Sequence, residues 1–307
     1  METRRIGSLE VSVVGLGTNN FGGRIDETAS RAVVDAALDA GITFLDTADI
    51  YGGTLSEEFL GRILESRRDR VVLATKFGMR VDSARQGGAT SAYVRGALED
   101  SLRRLRTDHI DLYQLHTPDK ATPISETLGT LDELVREGKV REIGCSNFTA
   151  GQLREAAAAT RPGAANFVSV QNELSLLDRD DLDDGLPEAG RLGIAYIPYF
   201  PLASGLLTGK YGRAKPLPPG TRIASWPTER AARVLTEATF DRIDALTSFA
   251  EDSGHTLLDL AFGWLLAQRP VASVIAGATS PDQVRANVAA GAWRLEESDL
   301  DALARIA

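Results

Sequence analysis

Four side chains define the chemistry this sequence could support: Asp46, Tyr51, Lys76 and His116. Asp46 stands where the apolar run Ile42, Phe44, Leu45 stops, Lys76 closes RVVLATK, and His116 closes HIDLYQLH. Tyr51 follows Asp46 on a Gly-rich loop. Each residue has a plain explanation when taken alone. An aspartate after a strand caps helices, a terminal lysine is solvated, and a histidine before Thr-Pro can be a satisfied core residue. Brought to the same end of successive strands, the four make a proton-transfer site.

Holding them there requires strands that all run the same way. TRRIGSLEVS (3–12) is expected to form a short hairpin turning at Gly7-Ser8, ahead of a first buried strand, Val13 to Thr18. A helix over 30–40 stops at Gly41, a natural residue after a helix C-terminus. The second strand ends at Asp46, and Ser56 is expected to cap the next helix. Further strands end at Lys76, His116, Ser146-Asn147, Gln171-Asn172, Tyr199 and Gly277, with helices expected from Ser91 to about Leu105, through Glu137, from Thr149 and near Pro281. Helices over 230–252 and 256–269 precede the last strand. The Pro-rich, Trp-bearing stretch Lys215 to Pro227 and a helix from Ser298 are additions.

Repeated strand–helix units imply parallel strands, because the crossover helix returns the chain to start each strand in the same sense. Eight units predict an α/β fold, a closed (β/α)8 TIM barrel over residues 1–307 as a single domain, with an N-terminal hairpin and extra C-terminal helices. A doubly wound sheet is the competing arrangement, but Gly15, Gly17 and Gly22 lack the GxGxxG spacing. Composition agrees with a barrel of this size: 307 residues, 43% hydrophobic and 25% charged.

Net charge is −9, from 34 basic and 43 acidic residues, with no basic block, so nucleic acid is not expected as a partner. No apolar run is long enough to span a bilayer, and METRRIGSLEVS has no signal-peptide core. One cysteine, Cys145, fits a reducing compartment, and a cytoplasmic location is expected. No metal is expected, since HExxH, CxxC and other ligand spacings are missing, and the absence of GxSxG argues against an α/β-hydrolase.

FLDTADIYG, ATKFG, DLYQLHTPD, IGCSNF, QNE, YFPLASGLLTGKY and GATSPDQVRAN occur in that order along nearly the whole chain, and the set resembles the motifs of the aldo-keto reductases. The resemblance implies that Tyr51 is the general acid, giving its phenolic proton to a carbonyl oxygen as hydride reaches the carbon. Lys76 would lower the phenol pKa from its ordinary ~10, Asp46 would hold Lys76 charged, and His116 would orient the carbonyl. It also implies a dinucleotide site. Ser146, Asn147 and Gln171 would bind the nicotinamide carboxamide, and Tyr199 would stack on its ring. Phe200, Pro201, Leu202, Ser204, Gly205, Leu207 and Lys210 would wrap the pyrophosphate. Gly17, Thr18 and Asn19 would line the first strand's end. Gly277, Thr279, Gln283, Arg285 and Asn287 would hold the adenosine end at a helix start, where the dipole suits an anion.

The sequence departs from that pattern in two places. Ala278, Thr279 and Ser280 stand where a basic residue often grips a 2′-phosphate, leaving Arg285 as the nearest cation, and Phe200 replaces a small serine. NADP(H) remains favoured, with NAD(H) as the second candidate. Asn20, Phe21, Phe77 and Trp226 are expected to line the substrate pocket, an aromatic rim with few charges that suits a neutral carbonyl or alcohol. The alternative is a cofactor-binding regulatory subunit with little turnover, resembling potassium-channel β subunits. A third reading makes Lys76 the Schiff-base lysine of a barrel lyase. Oligomeric state is left open.

Overall fold

The computed structural model describes residues 1–81, 87–213 and 215–306. It begins with an antiparallel hairpin, β1 (Thr3–Ile6) and β2 (Leu9–Ser12). Strands and helices then alternate: β3 (Val14–Gly17), α1 (Glu27–Asp39), β4 (Phe44–Asp46), α2 (Leu55–Leu64), β5 (Val72–Phe77), α3 (Ser91–Leu105), β6 (Ile110–Leu115) and α4 (Ile124–Arg136). They continue as β7 (Val140–Ser146), α5 (Ala150–Ala159), β8 (Phe167–Glu173), α6 (Gly185–Leu192) and β9 (Ala195–Tyr199). Helices α7 (Thr228–Val234), α8 (Glu237–Asp252) and α9 (Leu257–Ala267) precede β10 (Val274–Gly277), and α10 (Pro281–Ala290) and α11 (Glu297–Ala304) follow it.

Among the described residues, eight strands pair in the order β10-β3-β4-β5-β6-β7-β8-β9, and every pairing in that sheet is parallel. The ends of the order meet across Tyr196, which accepts from Ala272 N at 2.9 Å and donates to Pro270 O at 3.1 Å. The expected (β/α)8 barrel is therefore the observed architecture.

Strand periodicity sorts the barrel's contents. Phe44, Ala74, Leu112, Ala195, Ile197 and Ile275 form one buried apolar cluster with the hairpin residues Ile6, Leu9 and Val11, so the hairpin plugs one end of the barrel. Two residues further along the same strand faces come Asp46, Lys76 and Gln114, all buried. The barrel is apolar where the hairpin closes it and polar towards the carboxyl ends of its strands.

Several local expectations change. Ser56 lies inside α2, whose flanking residue is Thr54, and its hydroxyl bonds Thr18 and Thr47 instead of capping. The expected helix over 230–252 is two helices, broken before Thr236, which caps α8 by accepting from Thr239 N. Strand β5 runs one residue past Lys76, so that lysine is fully buried inside the barrel. Part of the Gly78–Thr90 loop, residues 82–86, lies outside the described residues.

Candidate active site

Neighbouring parallel strands bring the four expected residues together. Asp46 pairs in register with Gly17 on one side and Ala74 on the other, and Lys76 pairs with Gln114. Lys76 Nζ donates to Asp46 Oδ2 at 2.5 Å, to the Thr47 carbonyl at 2.9 Å and to Tyr51 Oη at 3.3 Å. The Tyr51 loop is held by a close backbone approach: Gly52 has φ +60, and a Cβ there would lie 2.3 Å from the Phe21 carbonyl oxygen. His116 follows β6, and its ring meets the Tyr51 ring edge-on, with centroids 6.0 Å apart.

Asp46 has no free oxygen. Its Oδ1 accepts from Gln171 Nε2 at 2.9 Å and Gln114 Nε2 at 3.1 Å, while Oδ2 holds Lys76. Burial disfavours the Lys76 ammonium, but Asp46 and Tyr51 outweigh it and hold the lysine above its ordinary pKa. Lys76 therefore stays protonated, contrary to what a Schiff-base lysine requires. The expected lowering of the Tyr51 pKa is corrected. Burial pushes the phenol up, and the Lys76 charge opposes that shift without reversing it. His116 is driven down to about 3, first by burial and then by the Lys76 charge, so the imidazole is neutral. Its Nδ1 is buried with no hydrogen-bond partner among the described residues.

The residues expected at the nicotinamide end surround this group and bond each other. Ser146 Oγ donates to the Gln171 carbonyl at 2.6 Å, and Asn147 Nδ2 donates to the His116 carbonyl at 2.9 Å. Tyr199 donates to Asn147 Oδ1 at 2.8 Å, with its ring edge-on to Phe200. Thr18 is buried and donates to the Asp46 carbonyl at 3.0 Å, Gly17 pairs with Gly277 across β3 and β10, and Pro201 and Leu207 are buried. In the turn 203–208, Gly205 has φ +95, and a Cβ there would meet Lys210 Nζ at 2.4 Å. Leu202 and Ser204 flank it, partly buried.

At the start of α10, Thr279 N donates to Gln283 Oε1 at 2.8 Å, and Asn287 is buried. Arg285 is tied to Asp282 at 2.5 Å, one turn away on the same helix. The substrate-pocket expectation needs revision. Phe21 and Phe77 are fully buried, Phe77 stacked on Tyr113, so both pack the core beneath the site. Asn20 is also buried and donates to the Ala278 carbonyl. Trp226 is partly exposed beneath the Arg230 guanidinium.

Sequence reasoning missed three residues here. Gln114 shares a strand face with His116 and Leu112, a period-2 signal that was readable. Arg222 lies in the Pro-rich stretch and donates to Asn19 Oδ1 at 3.1 Å and Asn20 Oδ1 at 3.0 Å, with its charge over the Phe200 ring. Arg24 donates to the Gly220 carbonyl, clasping that stretch to the loop after β3. Burial and the charges of Arg24 and Arg222 hold Lys210 below the ordinary lysine value. Among the described residues none of these three cations is paired with a carboxylate. Nothing in the sequence marks surface-type arginines in a loop as convergent.

The profile of the Aldo/keto reductase family matches residues 13–307. The chain is 36% identical over 310 residues to the uncharacterized oxidoreductase YqkF of Bacillus subtilis (strain 168), covering 99% of this chain and 95% of that protein. It is 31% identical to a probable voltage-gated potassium channel subunit beta of Oryza sativa subsp. japonica, over 88% of this chain and 84% of that one. Its fold resembles the glycerol dehydrogenase AKR11B4 from Gluconobacter oxydans, with TM-score 0.85 and 32% identity over 99% of this chain and 94% of that chain.

Proposed function

The chain belongs to the aldo/keto reductase family and is an oxidoreductase, and from that premise we propose that it transfers hydride between NADP(H) and a carbonyl or alcohol substrate. The observation that carries this reading is the Asp46–Lys76–Tyr51 array, with neutral His116 against the tyrosine ring.

The residues present fit a dinucleotide. Arg24, Lys210 and Arg222 face one another without a carboxylate partner among the described residues, and Lys210 is depressed by burial and then by the other two charges. Such a cluster suits an anion with several phosphate charges. A pyrophosphate bridge carries two charges that this cluster would neutralise, and membership of the family favours NADP(H) over NAD(H). Tyr199, Ser146 and Asn147 would stand at the nicotinamide, and Thr279, Gln283 and Asn287 at the adenosine. When bound, the dinucleotide supplies or takes the hydride.

The chain's own residues move the proton. Tyr51 gives its phenolic proton to the carbonyl oxygen during reduction and recovers one during alcohol oxidation. Lys76 donates to Tyr51 Oη, so the phenolate left behind is stabilised by an ammonium that Asp46 keeps charged. His116, uncharged, orients the substrate oxygen beside Tyr51. General acid catalysis of this kind contributes about 10²–10⁴-fold. The regulatory-subunit reading is less well supported, because the full set of proton-transfer residues is intact and correctly connected. We also propose one domain over the whole chain and a cytoplasmic location, the latter on the strength of a single buried cysteine.

The test is a fluorescence titration with NADPH and separately NADH, followed by turnover of simple aldehydes. Saturable binding tighter for NADPH, with turnover, is expected. Binding without turnover of any aldehyde or ketone would favour the regulatory subunit, and no binding of either dinucleotide would overturn the proposal.

A further inference from the structure

Asp49 is a carboxyl group that the proton-transfer array leaves unused. It lies in the turn between Asp46 and Tyr51, where its backbone N–H donates to the Lys76 carbonyl at 3.2 Å and extends the β4–β5 ladder past the end of β4. The residue is 1% exposed, and neither carboxylate oxygen has a hydrogen-bond partner among the described residues. The Ile50 amide is near enough to favour the charged form slightly, yet outside hydrogen-bonding geometry.

The pairing of charges in this part of the interior leaves Asp49 over. Lys76 is committed to Asp46 at 2.5 Å. Arg104, on α3, is committed to Glu57 on α2, Nε to Oε2 at 2.6 Å, and Glu57 Oε1 accepts from Thr75 Oγ1 at 2.5 Å. Asp49 therefore has the like charge of Glu57 nearby and, among the described residues, no cation of its own. From β6, the fully buried Tyr113 presents a hydroxyl that also has no partner among the described residues. An unpaired carboxylate in such a place takes up a proton instead of remaining charged. Burial first, and then the Glu57 charge, push Asp49 up to about 8, against smaller opposing effects of Arg104 and Lys76.

We propose that Asp49 is a positioning residue that carries a proton in the working enzyme and so keeps an unpaired charge from facing Glu57 beneath the Tyr51 turn. Once ionised, it sets a charge against Glu57 beneath the turn that carries Tyr51. The catalytic part rests on the proposed role of Tyr51; the protonation does not.

Asp49→Asn keeps the shape and removes the titration. Between about pH 4 and about pH 8 the folded wild type holds a proton that the unfolded chain has lost. Its folded-to-unfolded ratio should therefore fall by about tenfold per pH unit relative to the variant, and the difference should level off above about 8. Thermal midpoints of both proteins across that range measure this. A difference that is constant with pH, or a variant that weakens as pH rises, overturns the proposal. Should the variant not fold, NMR of wild-type protein carrying carboxyl-labelled aspartate replaces it. An aspartate titrating near 8 supports the proposal, and none titrating above about 6 overturns it. For the positioning role, kcat/KM of carbonyl reduction should decline above about pH 8 in wild type and persist to higher pH in Asp49→Asn, whereas identical profiles overturn that role. If Tyr51→Phe retained full turnover, the functional reading would fail while the stability result still stood.

Discussion

Gln171 Nε2 donates to Asp46 Oδ1 at 2.9 Å, joining β8 and β4 from opposite sides of the barrel. Gln114 reaches the same oxygen from β6, and Lys76 holds the other from β5. Asp46 is thus the point at which four strands of the barrel are tied, and the charge on Lys76 depends on it. The site is part of what closes the polar end of the barrel.

Replacing Asp46 by Asn should therefore cost both stability and chemistry. The amide sets an N–H group against two amide donors and leaves a buried ammonium without its counter-ion. Removing one partner of a buried pair costs about 3–5 kcal/mol, and loss of the ordered Lys76–Tyr51 contact should cut carbonyl turnover by about 100-fold or more. Urea unfolding and steady-state kinetics on the same preparation measure the two effects. A variant as stable as wild type would contradict this role.

His116 should be neutral throughout the working range. Its folded pKa, about 3, lies below the ordinary value of 6.5. As pH falls from about 6.5 to about 3, the unfolded chain gains a proton that the folded one lacks. Wild type should then lose stability about tenfold per pH unit relative to His116→Asn, and the two should run parallel above about 6.5. Histidine NMR should show no His116 titration between pH 5 and 8; a midpoint in that range would contradict the burial argument.

The cations should divide by whether they are already paired. Arg222→Ala removes a guanidinium with no carboxylate partner among the described residues and should weaken dinucleotide binding by about tenfold or more. Arg285→Ala should change NADPH binding little, because Asp282 already holds that arginine. Asp282→Ala should free it and raise the preference for NADPH over NADH. Titration with both dinucleotides checks all three variants, and an Arg285→Ala loss larger than that of Arg222→Ala would reverse the assignment.

Much of this was readable because strands that end in a polar residue on a repeated βα pattern leave few architectures open. Asp46, Lys76 and His116 could be placed from where apolar runs stop. Tertiary context took over where local signals are shared by several outcomes. Ser56 has the chemistry of a helix cap, yet its hydroxyl is drawn to Thr18 and Thr47 in the core. Phe21 and Phe77 read as a rim because aromatic residues beside a site can face either way, and burial took both. The helix α6 is only Gly185–Leu192, follows an Asp-rich stretch and ends at Gly193 in the left-handed region, so its apolar face is carried by too few residues to stand out. Asp49 looks like any loop carboxylate, because nothing local shows that both nearby cations are spoken for. The Tyr51 shift was expected with the opposite sign because Lys76 is legible in sequence, whereas the depth of burial is not.

The central claim is that Tyr51 supplies the proton, and Tyr51→Phe tests it most directly. The phenylalanine keeps the ring against His116 and removes the hydroxyl to which Lys76 donates. With NADPH bound at wild-type affinity, carbonyl turnover should fall by about 10²–10⁴-fold. Wild-type binding together with undiminished turnover would contradict the account.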